Sequence, residues 1–249
     1  MEAAKYHHMA KCAFFTLVRN EKFFLPLILK YYSKYFKKED MYVLDHDSND
    51  DSTINLECNR VPVTHEFVSH VWMMNTVKDF QKQLLKQYEY VLFAEADEIV
   101  FAKEGLDVFI QNVKEESVRC TGFDICQHRD LETIPYDPSK SVLSQRSYWV
   151  RSELYSKPLL ASIPLDWGLG FHNAGNASQN FNPHLILMHL HKFDFNTACK
   201  RHAERKSMKW NPKDLASGWG VQWQVDFESR FWCGNLSLIP ESIKQSNAF

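Results

Sequence analysis

The segment Tyr90-Val-Leu-Phe-Ala-Glu95-Ala-Asp97-Glu98-Ile-Val-Phe101 constrains this chain more than any other. It is apolar at both ends and carries three carboxylates in the middle. Its Val, Ile and Phe content predicts a strand buried in the core. Burying carboxylates is costly unless they are paired, protonated or bound to a cation. Three acids at the end of a core strand therefore predict a metal ion or a positively charged ligand beside them, the alternative being a turn that happens to be acidic. Glu95 and Asp97 are two positions apart, so an extended backbone points both to one face, where one divalent ion would engage them. Glu98 would point to the other face and is assigned a structural role.

The segments around it set the fold class. Cys12-Ala-Phe-Phe-Thr-Leu-Val18 reads as a buried strand, and Phe24, Leu27, Ile28, Tyr31, Tyr32 and Tyr35 follow at helical spacing. Pro26 is tolerable there because it lies in the first turn. Met41-Tyr-Val-Leu44 predicts a second strand and Glu66-Phe-Val-Ser-His70 a short third one. Val77, Phe80, Leu84 and Tyr88 mark a helix before the acidic strand, and Leu106, Phe109, Ile110 and Val113 mark another. This alternation predicts an α/β domain with a mostly parallel central sheet and helices on both faces. In such sheets ligands sit beyond the carboxyl ends of the strands. Arg19 to Glu21, Asp45 to Ser52 and Glu95 to Glu98 all fall there, and the second cluster also has the composition of an Asx turn.

Residues 127–182 show no clear period. Leu185-Ile-Leu-Met-His189-Leu-His191 then predicts a strand, and Asp194 is placed to cap a helix carrying Phe195, Ala198, Cys199 and His202. His189 and His191 share a strand face, which is metal-ligand spacing; core histidines bonded to backbone are the alternative. The net charge of −2 provides no electrostatic argument for nucleic acid or membrane binding by the chain as a whole. Six cysteines without a CxxC pair disfavour a structural zinc site or a disulfide framework, and point to a reducing, cytoplasmic setting. Neither a signal peptide nor an integral membrane segment is expected.

Three strand ends, Val18-Arg-Asn20-Glu21, Asp45-x-x-Ser48-x-Asp50-x-Ser52 and Glu95-x-Asp97-Glu98, together resemble family 2-like glycosyltransferases of the GT-A fold. His189-Leu-His191-Lys-Phe-Asp194 with Arg201-His202 is similar to that family's later histidine strand and the helix after it. The likeness covers residues 12–101 and parts of 160–206. It departs at Glu95, where the family has Asp, and at Asp47 and Asp51, where it often has Asn or Gly. The resemblance implies one domain over 1–249, with a nucleotide-sugar half at about 10–105 and an acceptor half at about 106–249. It implies transfer of a sugar from a nucleotide-diphosphate donor to a glycan or other hydroxyl acceptor, with inversion.

Mn²⁺ or Mg²⁺ would stabilise the leaving diphosphate as a Lewis acid. Asp97 is the expected direct ligand, Glu95 would bind the ion directly or through water or else contact the ribose, and His189, His191 or His172 would complete the set. Asp45 would accept a hydrogen bond from the base, and Thr16, Arg19, Asn20 and Glu21 would line the base and ribose pocket. Lys78 would either reach the diphosphate or remain a surface lysine. The general base is assigned to Asp166, beside Trp167, with Asp124 and Glu153 as competitors. For Lys200, Arg201, Arg205, Lys206 and Lys209, a solvated basic face and a phosphate clamp by Arg201 or His202 are both open. Trp210, Trp219, Trp223 and Trp232 would form core or an acceptor platform. The rival functions are a nucleotidyltransferase acting on sugar phosphates, a non-catalytic sugar-binding protein and a metal hydrolase. Arg19-Asn-Glu-Lys-Phe23 lacks the glycines a triphosphate loop needs, which counts against the first.

Overall fold

The computed structural model describes residues 11–227 and 234–245; Trp232 and Cys233 lie outside them. Ten strands form one mixed sheet among the described residues. The strands read at 12–18, 41–44 and from Tyr90 form in its first half. Strand β1 (Cys12–Val18) pairs in parallel with β2 (Met41–His46) and with β4 (Tyr90–Phe93). Strand β3 (Asn59–Val63) adds to β2, also in parallel. Ala13, Phe14 and Phe15 are fully buried, as expected for a strand covered on both faces. Helix α1 (Phe24–Tyr32) buries Phe24, Leu25, Ile28, Tyr31 and Tyr32, and α2 (His70–Leu84) buries Val77, Phe80 and Leu84.

The second half corrects the expectation of a mostly parallel sheet. Strand β5 (Glu98–Ala102) and helix α3 (Leu106–Asn112) lead into the long β6 (Ser117–Cys126). The one-turn α4 (Val142–Gln145), β7 (Tyr148–Arg151) and β8 (Pro158–Ala161) follow. β8 pairs antiparallel with both β4 and β6, and β6 pairs antiparallel with β7. A parallel neighbour needs a long crossover, usually a helix, and this stretch has none. The last long strand, β9 (Phe181–Lys192), lies between β5, antiparallel to it, and β6, parallel to it. Helix α5 (Phe195–Ser207) starts directly afterwards, with the Asp194 side chain accepting from Thr197 N at 2.9 Å as its N-cap. The sheet runs through both expected halves without a break.

Other local expectations also change. The third strand lies at 59–63, not 66–70. Its Pro62 is tolerated because β3 is an edge strand. Segment 66–69 leads into α2, where Ser69 accepts from Trp72 N as the N-cap. Lys78 therefore sits inside α2. Residues 94–97 form a turn between β4 and β5, so the acidic strand is broken where the carboxylates occur. In the loop after β2, Asp47 and Asp51 have φ of 50° and 65°, the left-handed region that Asn and Gly enter at least cost. Asx turns form there, with Asp45 accepting from Ser48 N and Asp50 from Ser52 N, both at 3.0 Å. No helix among the described residues is long and apolar enough to cross a membrane.

Candidate functional site

The ends of β4 and β9 and the inner face of α5 meet at a cavity of about 410 Å³. Glu95, Asp97, His172, His189 and His191 all line it, with Arg201 and Arg205. A smaller hollow of about 50 Å³ adjoins it and is lined by Arg19 and His46 from the ends of β1 and β2. Glu95, Asp97, Arg201 and Arg205 line both. The strand ends named separately in the sequence thus share one place.

Sheet register explains the centre of the site. His189 lies opposite Glu98 on β5 and opposite Asp124 on β6. The backbone carbonyl of Asp97 receives Leu190 N at 2.8 Å. His189 Nδ1 is 2.5 Å from Asp124 Oδ1, and its Nε2 is 3.4 Å from Asp97 Oδ2. Burial favours the neutral ring, but the Asp97 and Asp124 carboxylates outweigh it and push His189 up to about 10. His189 is therefore an imidazolium at neutral pH, and Tyr155 stacks on it at 3.8 Å. Gly122 permits that approach: a Cβ there would lie 2.2 Å from the Tyr155 backbone carbon.

Each acid of the turn already has a cation. Arg201 Nη1 donates to Asp97 Oδ2 at 2.6 Å, and Arg201 Nη2 donates to Glu21 at 2.9 Å. Arg205 also donates to Glu21 at 2.9 Å. Burial opposes ionisation of Asp97, yet Arg201 and His189 hold its carboxyl well below the usual carboxylate range. Lys157, fully buried, lies 2.5 Å from Glu95 and 2.7 Å from Glu98. Burial works against both acids, but Lys157 leaves Glu95 ionised, while Glu98, deeper in the core, stays pushed up. Burial and the nearby Arg201 hold His191 well below the ordinary histidine range.

This arrangement bears directly on a divalent ion. Glu95, Asp97 and His189 each spend a donor atom on Lys157, Arg201 or Asp124. Among the described residues, no group of three or more His, Cys, Asp or Glu side chains is arranged to hold a metal ion. Lys157 and Arg201 thus compete with a divalent ion for the oxygens of Glu95 and Asp97.

The other predicted site residues divide. Asp45 is buried, with its carboxylate bonded to Ser48 N, Thr53 Oγ1 at 2.8 Å and Arg60 Nε at 2.8 Å. It braces the β2 loop and lines neither cavity. Thr16 is fully buried and also lines neither. Glu21 is buried as the anchor of the two arginines, not open to a ribose. Asn20 staples the β1 and β2 loops, exchanging hydrogen bonds with Asn49 at 2.8 and 3.0 Å. Asp166 is 69% exposed and pairs with Lys78, away from both cavities. Glu153 is exposed and lines neither.

Arg201 and Arg205, one turn apart, face inward, whereas Lys200, Lys206 and Lys209 are exposed. Arg201 and Arg205 thus hold Glu21 and Asp97, while the lysines form a solvated face. His202 Nε2 lies 2.8 Å from Val225 O and belongs to the wall. Sequence reasoning missed Lys157 and Tyr155, which come from an aperiodic stretch. The available signal was arithmetic: three buried acids need cations, and Lys157 begins the apolar run Lys157-Pro-Leu-Leu-Ala161. No protein-family model matches the chain, and no curated protein matches it.

Proposed function

We propose that this protein is a glycosyltransferase of the GT-A type, moving a sugar from a nucleotide-diphosphate donor to an acceptor hydroxyl. The observation that carries the reading is the meeting of the β4 and β9 ends and α5 at one cavity, beside the ends of β1 and β2. Ligand sites beyond the carboxyl ends of parallel strands follow from α/β topology. The volume suits a small-molecule ligand.

Charge in the cavity is supplied by the chain. Arg201 and Arg205 face the space where a leaving diphosphate gains negative charge, and fixed guanidinium groups stabilise such charge without reorganisation. Glu21 holds both in place from behind. The base in this reading is His172 instead of Asp166. His172 Nδ1 is 2.8 Å from Leu154 O, so that nitrogen carries the proton and Nε2 is left as the acceptor. Burial and Lys157 lower its proton affinity, so it is neutral at pH 7 and ready to take a proton from an acceptor hydroxyl.

Thermal-shift titrations with UDP-, GDP-, dTDP- and CMP-sugars, each with Mn²⁺ and with EDTA, test the reading. A stabilising shift with one sugar nucleotide is expected. The acidic sequence alone predicts that the shift vanishes in EDTA; the paired carboxylates predict that it persists. A shift only with a nucleoside triphosphate would favour the nucleotidyltransferase, and one only with a bare glycan would favour the sugar-binding protein.

A further inference from the structure

A second cleft, of about 550 Å³, opens between α1 and the segment around 136–141. Its floor is apolar: Phe23, Leu27, Tyr31 and Tyr136. Phe23 meets Tyr136 edge-on at 5.8 Å, and both rings pack on Phe193 beneath. Its rim is basic: Lys22, Lys30, Lys34 and Lys140, with no carboxylate in the lining. Burial and the neighbouring Lys30 lower the proton affinity of Lys34. Lys140 lies 3.4 Å from Asp137, an exposed pair that water screens.

The loop that supplies Tyr136 also projects Leu131 and Ile134, 64% and 78% exposed. The loop is anchored at its base. Glu132 accepts from His128 N and Ser147 N, and Arg146 donates to Ile134 O. Two aliphatic side chains are thus exposed on the loop that leads to Tyr136 and Lys140 of the cleft. Cations alone would accept any anion. Cations over an apolar floor, with aliphatic residues alongside, match a ligand that is anionic at one end and apolar at the other.

We propose that this cleft takes the headgroup of an acidic phospholipid and docks the protein on an anionic membrane surface, with Leu131 and Ile134 entering the interface. The attachment is peripheral. It is independent of the transferase reading and stands or falls on its own test.

Flotation of the intact protein with phosphatidylcholine vesicles, and with the same vesicles containing phosphatidylserine, tests it. Binding to the acidic vesicles alone is expected, weakening as salt is added. Each lysine near an anionic surface strengthens binding about fivefold, so Lys22→Glu with Lys30→Glu and Lys34→Glu should weaken it by about 100-fold or more. Leu131→Ser with Ile134→Ser should weaken it without touching the charge, which keeps the proposal falsifiable if the triple variant fails to fold. Equal binding to both vesicles, binding to neither, or wild-type binding by the folded variants would overturn it. So would binding of a soluble short-chain phosphatidylserine or of inorganic phosphate with no binding to vesicles.

Discussion

Replacing Lys157 by Met tests the electrostatic account of the site most directly. Met preserves most of the apolar stem but removes the ammonium shared by Glu95 and Glu98. Glu95 is 40% exposed, so water screens it once the cation is gone. Glu98 is fully buried and has no such recourse. Removing one partner of a buried pair costs about 3–5 kcal/mol, because a buried charge loses its compensation. For a domain of this size that is a fall in Tm of roughly 6–20 °C.

The loss should depend on pH, and its sign follows from Glu98. Without Lys157, its folded-state pKa rises further above the unfolded value of about 4.3. A carboxyl with a raised folded pKa is tolerated when protonated, so the deficit is small below that unfolded value and grows as pH rises toward the folded pKa. Urea titrations at about pH 5 and about pH 8, followed by tryptophan fluorescence, would show a larger deficit at the higher pH. Adding Glu98→Gln should restore most of the loss by removing the charge. A deficit under about 1 kcal/mol at pH 8, or one equal at both pH values, would refute the reasoning.

Asp166→Asn should leave stability within about 0.5 kcal/mol and leave transfer unchanged, since its side chain is largely solvent-exposed, whereas His172→Gln should slow transfer by about 10²-fold or more at unchanged stability. Single-turnover rates with the donor identified by thermal shift compare the two. Arg201→Lys should weaken that donor's binding and cost about 1.5–3 kcal/mol in a urea titration, because one ammonium cannot serve Glu21 and Asp97 together. His189, pushed up to about 10, stabilises the fold fully below roughly pH 6.5, and that stability is lost as pH rises through about 10. A stability profile over that range should fall for the wild type and flatten for Asp124→Asn.

Much of the first hundred residues was legible because the signals there are local. The apolar run Cys12–Val18, the helical spacing of Phe24, Ile28 and Tyr32, and the Asx turns after Asp45 depend on neighbours a few positions away. The clustering of polar residues at strand ends followed from topology, and Asp194 as an N-cap followed from residue type and position. That Glu95, Asp97, His189 and His191 line one cavity was therefore anticipated.

What the chain could not disclose by itself is which groups neutralise which. The sequence established that three carboxylates near Phe93 needed counter-charge, and it pointed to a metal ion or a positively charged ligand. The tertiary structure brings Lys157 and Arg201 to them, from about sixty and a hundred positions downstream, because β8 folds back beside β4 and α5 folds over the strand ends. The same non-local packing turned Asp45 and Glu21 inward as braces and left Asp166 outside. It also set the second half of the sheet largely antiparallel, where no helical crossover exists. Backbone pattern is written in short intervals of sequence; charge compensation is settled between elements far apart in the chain, and only the closed fold brings them within a few ångströms.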